Sequence, residues 1–201
     1  MKNLSIFFAF AVSLGLLFTS ELYASHGHNE MTIDNSESTL YWKGYKVGGW
    51  HEGFVTIKEG TLKFDDDGSF TGGNFVIDMT TIIATDLTGD SKARLEGHLK
   101  SDDFFGVETH PEAHLDIKRV ISRGQPGDYR IVADLTIKDI THEIRFNTKI
   151  EDKGDMKTAT AEFKVDRSLY DVRFGSGTFF SNLGDNTIYD EFDIKVNLVA
   201  K

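Results

Sequence analysis

The sequence predicts an all-β protein: an eight-stranded antiparallel barrel with one short helical segment between its third and fourth strands. Three observations lead there. Apolar and polar residues alternate with period two through most of the chain from Thr39 onward. Gly- and Asp-rich turn signals punctuate that alternation. Each strand carries one apolar and one polar face, so one side of the sheet is wet, and a long sheet of this kind removes its exposed edges by curling and closing. A two-sheet sandwich is the alternative way to hide the apolar face.

The first strand runs from about Leu40 to Val47. In the second, Val55 and Ile57 share a face; after a bulge expected at Glu59-Gly60, Leu62 and Phe64 continue it. Asp65-Asp66-Asp67-Gly68 is a hairpin turn leading to Phe75, Ile77 and Met79. Asp90 to Lys100 has helical composition, with Leu95 and Leu99 one turn apart. Leu115, Ile117 and Ile121 form the next apolar face, and Gly124-Gln125-Pro126-Gly127 turns into Ile131, Ala133, Leu135 and Ile137. A tight turn at Asp139-Ile140 leads to Ile144, Phe146 and Ile150, and Glu151 to Asp155 turns into Ala159, Ala161, Phe163 and Val165. Asp171 to Asp185, rich in Gly, Ser and Phe, reads as a long loop able to cover a cavity mouth. The last strand alternates through Ile188, Phe192, Ile194, Val196 and Leu198.

The N-terminus divides from this pattern. Lys2 and the 13-residue apolar run Ile6 to Phe18 have the form of a signal peptide, residues 1–24, with an uncleaved anchor as the alternative. Export to a periplasmic or extracellular location follows. Residues 25–38 are polar, carry His26 and His28, and read as a flexible lead-in to the barrel domain at 39–201. The net charge of −10 disfavours nucleic acid and anionic membrane surfaces as partners. With no cysteine, stability rests on core and sheet pairing without disulfides, and thiolate metal sites are excluded.

Catalytic and metal constellations are weak. His110 and His114 would lie roughly 13 Å apart along a strand, too far to share a zinc ion. Asp65-Asp66-Asp67-Gly68 lacks the distal glutamate of a calcium loop. Gly175-Ser176-Gly177 is not a nucleophile elbow, and Asp86, Asp90, Glu96 and His98 are explained by a solvated helix. No catalytic residue, metal or cofactor is expected. Gly44, Gly48, Gly49 and Gly53 permit sharp coiling of the first hairpin or close approach of a ligand, with Lys46 and His51 beside them to meet a head group; the alternative is that the glycines only bend the strands and both side chains are solvated.

Leu95 to Pro111 (LEGHLKSDDFFGVETHP) closely resembles the H-L-x-S-x-D-F-F-x-V-x-x-x-P signature of the YceI-like, polyisoprenoid-binding proteins. Asp134 to Thr141 resembles their L-T-I-x-G-x-T hairpin, with Asp139 where glycine is usual and His142-Glu143 in place of the common Lys-Pro. Phe163 to Tyr170 resembles their F-x-I-x-R-x-x-Y/F element; Trp42 to Gly53 and the final strand also match. The family marks fall on His98, Leu99, Ser101, Asp103, Phe104, Phe105, Val107 and Pro111, on Leu135, Thr136, Ile137 and Thr141, and on Phe163, Arg167 and Tyr170.

The resemblance implies a lipocalin-like barrel holding an isoprenoid chain, such as a prenyl quinone, without enzymatic activity. The expected lipid-contacting wall is then Val55, Ile57, Phe75, Ile77, Leu115, Ile117, Leu135, Ile137, Phe146, Phe163, Ile194 and Val196. Phe104, Phe105, Phe174 and Phe180 are expected at the mouth; Lys46, His51, His98 and Arg167 form the expected polar rim for a head group. A mouth ringed by phenylalanines could also meet a second copy of the chain as a homodimer. The competing functions are a hydrolase or isomerase of the same lipid, which needs titratable groups inside the barrel, and a stress-response barrel packed full of side chains.

Overall fold

The computed structural model describes residues 29–201. The expected signal peptide and residues 25–28 of the lead-in lie outside the described residues. The alternation does organise the chain into strands: β1 (Asn29–Thr32), β2 (Thr39–Lys46), β3 (Gly49–Phe64), β4 (Phe70–Ala84), β5 (Glu112–Ser122), β6 (Asp128–Ile137), β7 (Ile140–Asp152), β8 (Lys157–Asp166) and β9 (Glu191–Ala200). They form one sheet in the order β1-β3-β2-β9-β8-β7-β6-β5-β4, and β3 also pairs with β4, which closes the ring. Every pairing is antiparallel. The predicted helix is α1 (Gly89–Lys100), between β4 and β5, with Leu99 buried against the barrel.

Nine strands make eight wall positions because β1 and β2 share one. β1 pairs with β3 from Asn29↔Phe64 to Thr32↔Thr61, and β2 pairs with the other end of β3, from Leu40↔Val55 to Lys46↔Gly49. The lead-in expected to be flexible over residues 25–38 is therefore wall from Asn29 on. Its physical reason is local: Met31 and Ile33 alternate with Glu30 and Thr32, and Ile33 is buried and bridges Ala200 of β9. The interruption between β1 and β2 is a turn held by Asp34, whose Oδ1 accepts hydrogen bonds from the Ser36 and Glu37 backbone N–H groups. Lys201 and Ser36 hydrogen bonds hold the Asp34 carboxyl well below the usual carboxylate range.

Three irregularities decide which side chains face inward. The register of β3 slips by one residue between Ile57 and Glu59, so Lys58 is the bulge, one residue before the position expected, and the inward parity changes from Val55 and Ile57 to Leu62 and Phe64. On β4, four residues from Met79 to Ile82 oppose Val55 alone, between the pairs Phe54↔Ile83 and Thr56↔Asp78. Thr81 fills the interrupted ladder, its Oγ1 accepting from the Thr56 backbone N–H at 2.8 Å and donating to the Asp78 carbonyl at 2.7 Å. On β5 the slip between Ile117 and Arg119 turns Ile121 outward, 44% exposed, against the expectation that it joins Leu115 and Ile117.

The β6–β7 hairpin turns on Lys138 and Asp139, one residue earlier than expected, with φ of 51° and 61°. A two-residue loop with both φ positive matches the twist of its flanking strands. Gly53 marks the tightest approach in the wall: a Cβ there would lie 1.8 Å from the Ile83 carbonyl oxygen. Gly53→Ala should force β3 and β4 apart and cost at least about 2 kcal/mol. Urea unfolding measures it, and a loss under about 0.5 kcal/mol would show that the strands yield freely.

Candidate functional site

The inward side chains enclose an apolar cavity of about 190 Å³ that follows the barrel axis. All twelve expected wall residues border it, together with Phe104 and Phe105. Trp42, Leu62, Phe70, Ile82, Ile131 and Leu198 also border it and are absent from the expected wall, although Leu62, Ile131 and Leu198 lie on the apolar faces read from the sequence. Strand parity could have supplied Trp42, Leu62, Ile131 and Leu198. Ile82 was hidden by the β4 bulge, which changes parity without any glycine to announce it.

Both ends carry a cover. At the floor, Phe64 packs on Phe70 and Phe70 on Tyr129, with ring centroids 5.6 and 5.7 Å apart. At the other end, α1 and the turn after it bring Leu99, Phe104 and Phe105 over the cavity, all buried, with Phe104 and Phe105 edge to face at 5.1 Å. The segment between β8 and β9 completes this cap. It starts with a 3-10 turn, Arg167–Tyr170, and is laced to the first hairpin by Val47 N–H to Thr187 O and Tyr189 N–H to Tyr45 O.

Arg167 holds that segment in place. The residue is 2% exposed, and its side chain donates to three backbone carbonyls: Tyr189 at 3.2 Å, Val172 at 2.8 Å and Ile188 at 3.0 Å. The Asp190 carboxylate stands 3.4 Å away, and Phe104 lies against the guanidinium. Burial lowers the guanidinium pKa, and Asp190 and Asp166 oppose the shift. Nearby, Tyr170 is 1% exposed and burial pushes its hydroxyl up to about 12.

Of the four residues expected at the polar rim, only Arg167 borders the cavity. Three of its N–H groups are already engaged by backbone carbonyls. His51 is engaged with Asp86, Nδ1 to Oδ2 at 2.7 Å. Burial raises the Asp86 pKa, but the His51 and Glu52 hydrogen bonds outweigh it and leave the carboxyl below its ordinary value. Lys46 is exposed at the end of β2. His98 is set behind the lining, its ring 5.6 Å from Phe104 and 4.3 Å from Phe174. Phe174 and Phe180, expected at the mouth, do not border the cavity; they are 45% and 49% exposed and line an outer groove with Lys138, Asp171 and Arg173. Among the described residues, no cluster of three or more His, Asp or Glu side chains is arranged to hold a metal ion.

The model of the YceI-like domain matches residues 31–200, nearly the whole barrel. The chain belongs to the YceI-like family. A UPF0312 protein of Pectobacterium atrosepticum is 28% identical over 107 residues, covering 53% of this chain and 52% of its own length. One from Staphylococcus aureus is 36% identical over 69 residues, covering 34% of this chain and 36% of its own. The chain spans about half the length, or less, of the curated relatives it matches.

Solved structures share the fold. Burkholderia cenocepacia BcnA superposes with a TM-score of 0.67 at 21% identity, over 84% of this YceI-like chain and 99% of that one. A polyisoprenoid binding domain from Saccharophagus degradans, implicated in plant cell wall breakdown, gives 0.61 at 14% identity, over 85% and 97%. The Campylobacter jejuni YCEI protein gives 0.56 at 16% identity, over 73% and 84%.

Proposed function

We propose that this YceI-like chain is a non-enzymatic carrier that holds one long-chain apolar lipid, of polyisoprenoid type, along the barrel axis. The observation that carries the reading is the cavity itself: a channel bordered almost wholly by aliphatic and aromatic side chains, whose one charged neighbour among the described residues, Arg167, is already bound to the backbone. The binding activity named for the Saccharophagus degradans neighbour supports the same ligand class.

The mechanism is burial. Each CH₂ removed from water contributes about 0.8 kcal/mol, so about ten buried carbons supply roughly 8 kcal/mol before the cost of ordering the chain. A micromolar Kd needs about 8 kcal/mol net, so a chain that buries more than about ten carbons reaches it without a polar anchor. A hydrolase or isomerase would need an acid, base or nucleophile against the lipid, and the titratable groups near the cap face away from the channel or are paired. A packed structural barrel would have no channel to fill. We place the protein outside the cytoplasm, on the signal-like run Ile6 to Phe18.

Trp42 is buried and borders the cavity, whereas the second tryptophan, Trp50, is 44% exposed on the outside. Titration with a short-chain prenyl quinone should quench the Trp42 emission in a saturable way and leave that of Trp50 accessible to iodide. Quenching that does not saturate, or that is confined to Trp50, would contradict binding in the channel.

A further inference from the structure

A channel covered at both ends raises the question of a route through its wall. The floor is closed by Phe64, Phe70 and Tyr129, and the cap by Leu99, Phe104, Phe105 and the segment that Arg167 fixes. The wall itself is sealed where backbone ladders run its full height. β6 and β7 pair without a break from Ile137↔Ile140 to Asp128↔Lys149, and β8 and β9 from Asp166↔Glu191 to Lys157↔Ala200.

Between β7 and β8 the ladder stops at Thr148↔Ala161, although β7 extends back to Ile140 and β8 on to Asp166. Toward the cap, then, the two strands lie side by side without backbone pairing. Side chains close the space. Phe146 and Phe163, the next inward pair beyond the last rung, stack at 4.5 Å with their planes 19° apart. Above them the 3-10 turn leans on β7 through the His142 ring, which meets the Leu169 carbonyl at 3.0 Å and the Tyr170 ring at 5.3 Å.

The cavity reaches this seam. Phe146, Phe163, Thr148 and Thr160 all border it, and Thr148 Oγ1 donates to the Thr160 carbonyl at 2.9 Å, at the point where the ladder ends. Phe146, Phe163 and Ile144 are only half-buried, whereas Ile131 and Ala133, on β6 beside them, are fully buried. Parting the strands here breaks no ladder hydrogen bond. It needs rotation of two phenylalanine side chains and at most release of the His142 contact, whereas lifting the cap would break its backbone bonds to the first hairpin, Val47 N–H to Thr187 O and Tyr189 N–H to Tyr45 O. The ladders of β4 with β5 and of β2 with β9 also stop early, at Asn74↔Asp116 and Lys43↔Asp193, but the first gap is filled by Phe70, 5% exposed and packed on Tyr129, and the second is bridged by backbone bonds from Tyr189 N–H to Tyr45 O and from Val47 N–H to Thr187 O.

We propose that the ligand enters and leaves through the wall, by the β7–β8 seam, with the stacked Phe146 and Phe163 as its door. The inference rests on the lipid-binding reading above and adds a route to it. A slit of this kind admits a single flexible apolar chain sideways and rejects a bulky fused-ring lipid.

The chain has no cysteine, so the seam can be stapled cleanly. Asn147→Cys with Glu162→Cys places two thiols on the outer face, one step beyond the last rung, where a disulfide or a short bis-maleimide joins the strands. A control staple, Val47→Cys with Thr187→Cys, fixes the first hairpin to the cap across an existing backbone hydrogen bond. The readout is transfer of dansyl-farnesol to and from phosphatidylcholine vesicles. Closing the seam should slow loading and release by roughly tenfold or more at unchanged Kd, the cap staple should leave both rates as they were, and breaking the seam staple should restore them. Unchanged rates with the seam closed, or slowing by the cap staple instead, would overturn the door. Absence of binding at equilibrium with the staple open would overturn the lipid-binding reading itself.

Discussion

Replacing Arg167 with leucine is expected to cost about 3 to 5 kcal/mol of folding stability, because it strips a buried cation from its partners. The guanidinium satisfies the carbonyls of Val172, Ile188 and Tyr189, which come from both arms of the cap segment, and it stands beside the Asp190 carboxylate. Leucine would fill part of the space and leave those acceptors unpaired, at about 1 to 3 kcal/mol for each one that water cannot reach. Arg167→Lys should recover less than half of the loss, since a single ammonium cannot reach three carbonyls spread around a planar fork. Urea unfolding of the two variants measures this directly. A loss below about 1 kcal/mol, combined with loss of lipid binding, would instead make Arg167 a ligand contact and not a structural clamp.

The second large effect is expected from filling the channel. Ala113 borders the cavity from β5, is 4% exposed, and is paired with Ile77 across the sheet. Ala113→Trp places an indole in a space of about 190 Å³ and should weaken prenyl-lipid binding by at least about 100-fold. The overpacking cost to the fold should stay within about 1 to 3 kcal/mol, because the added ring occupies volume that the ligand would otherwise take. Ala113→Val, which adds two methyl groups at the same point, should weaken binding by less than about tenfold. Isothermal titration with a prenyl quinone, alongside thermal unfolding, separates the two effects. Full-strength binding by a folded Ala113→Trp protein would mean that the lipid sits elsewhere.

The wall was legible in the sequence because the pleat of a strand writes burial directly into period two. Val55, Ile57, Leu135 and Ile137 needed nothing else to be placed. The Lys58 bulge was signalled by Gly60 and by the change from odd to even apolar positions. The bulges at Lys118 and over Met79 to Ile82 have no such mark, since they arise from how β4 and β5 meet their neighbours, and so Ile82 was missed and Ile121 was placed on the wrong face. The polar groups were harder to read. Arg167 finds its acceptors 5 to 22 residues away, in a segment with no periodicity. The engagement of His51 with Asp86 depends on a contact 35 residues distant. Phe174 and Phe180 lie in that same aperiodic segment, where composition suggested a lid but could not tell lining from outer surface.

The most direct test is native mass spectrometry of the protein isolated from the cells that make it, followed by extraction and mass analysis of whatever is released on unfolding. A single apolar molecule per chain, built on a prenyl repeat and displaced by added prenyl quinone, is the predicted result. A barrel that is consistently empty, and that takes up no prenyl lipid when one is offered, would contradict the account.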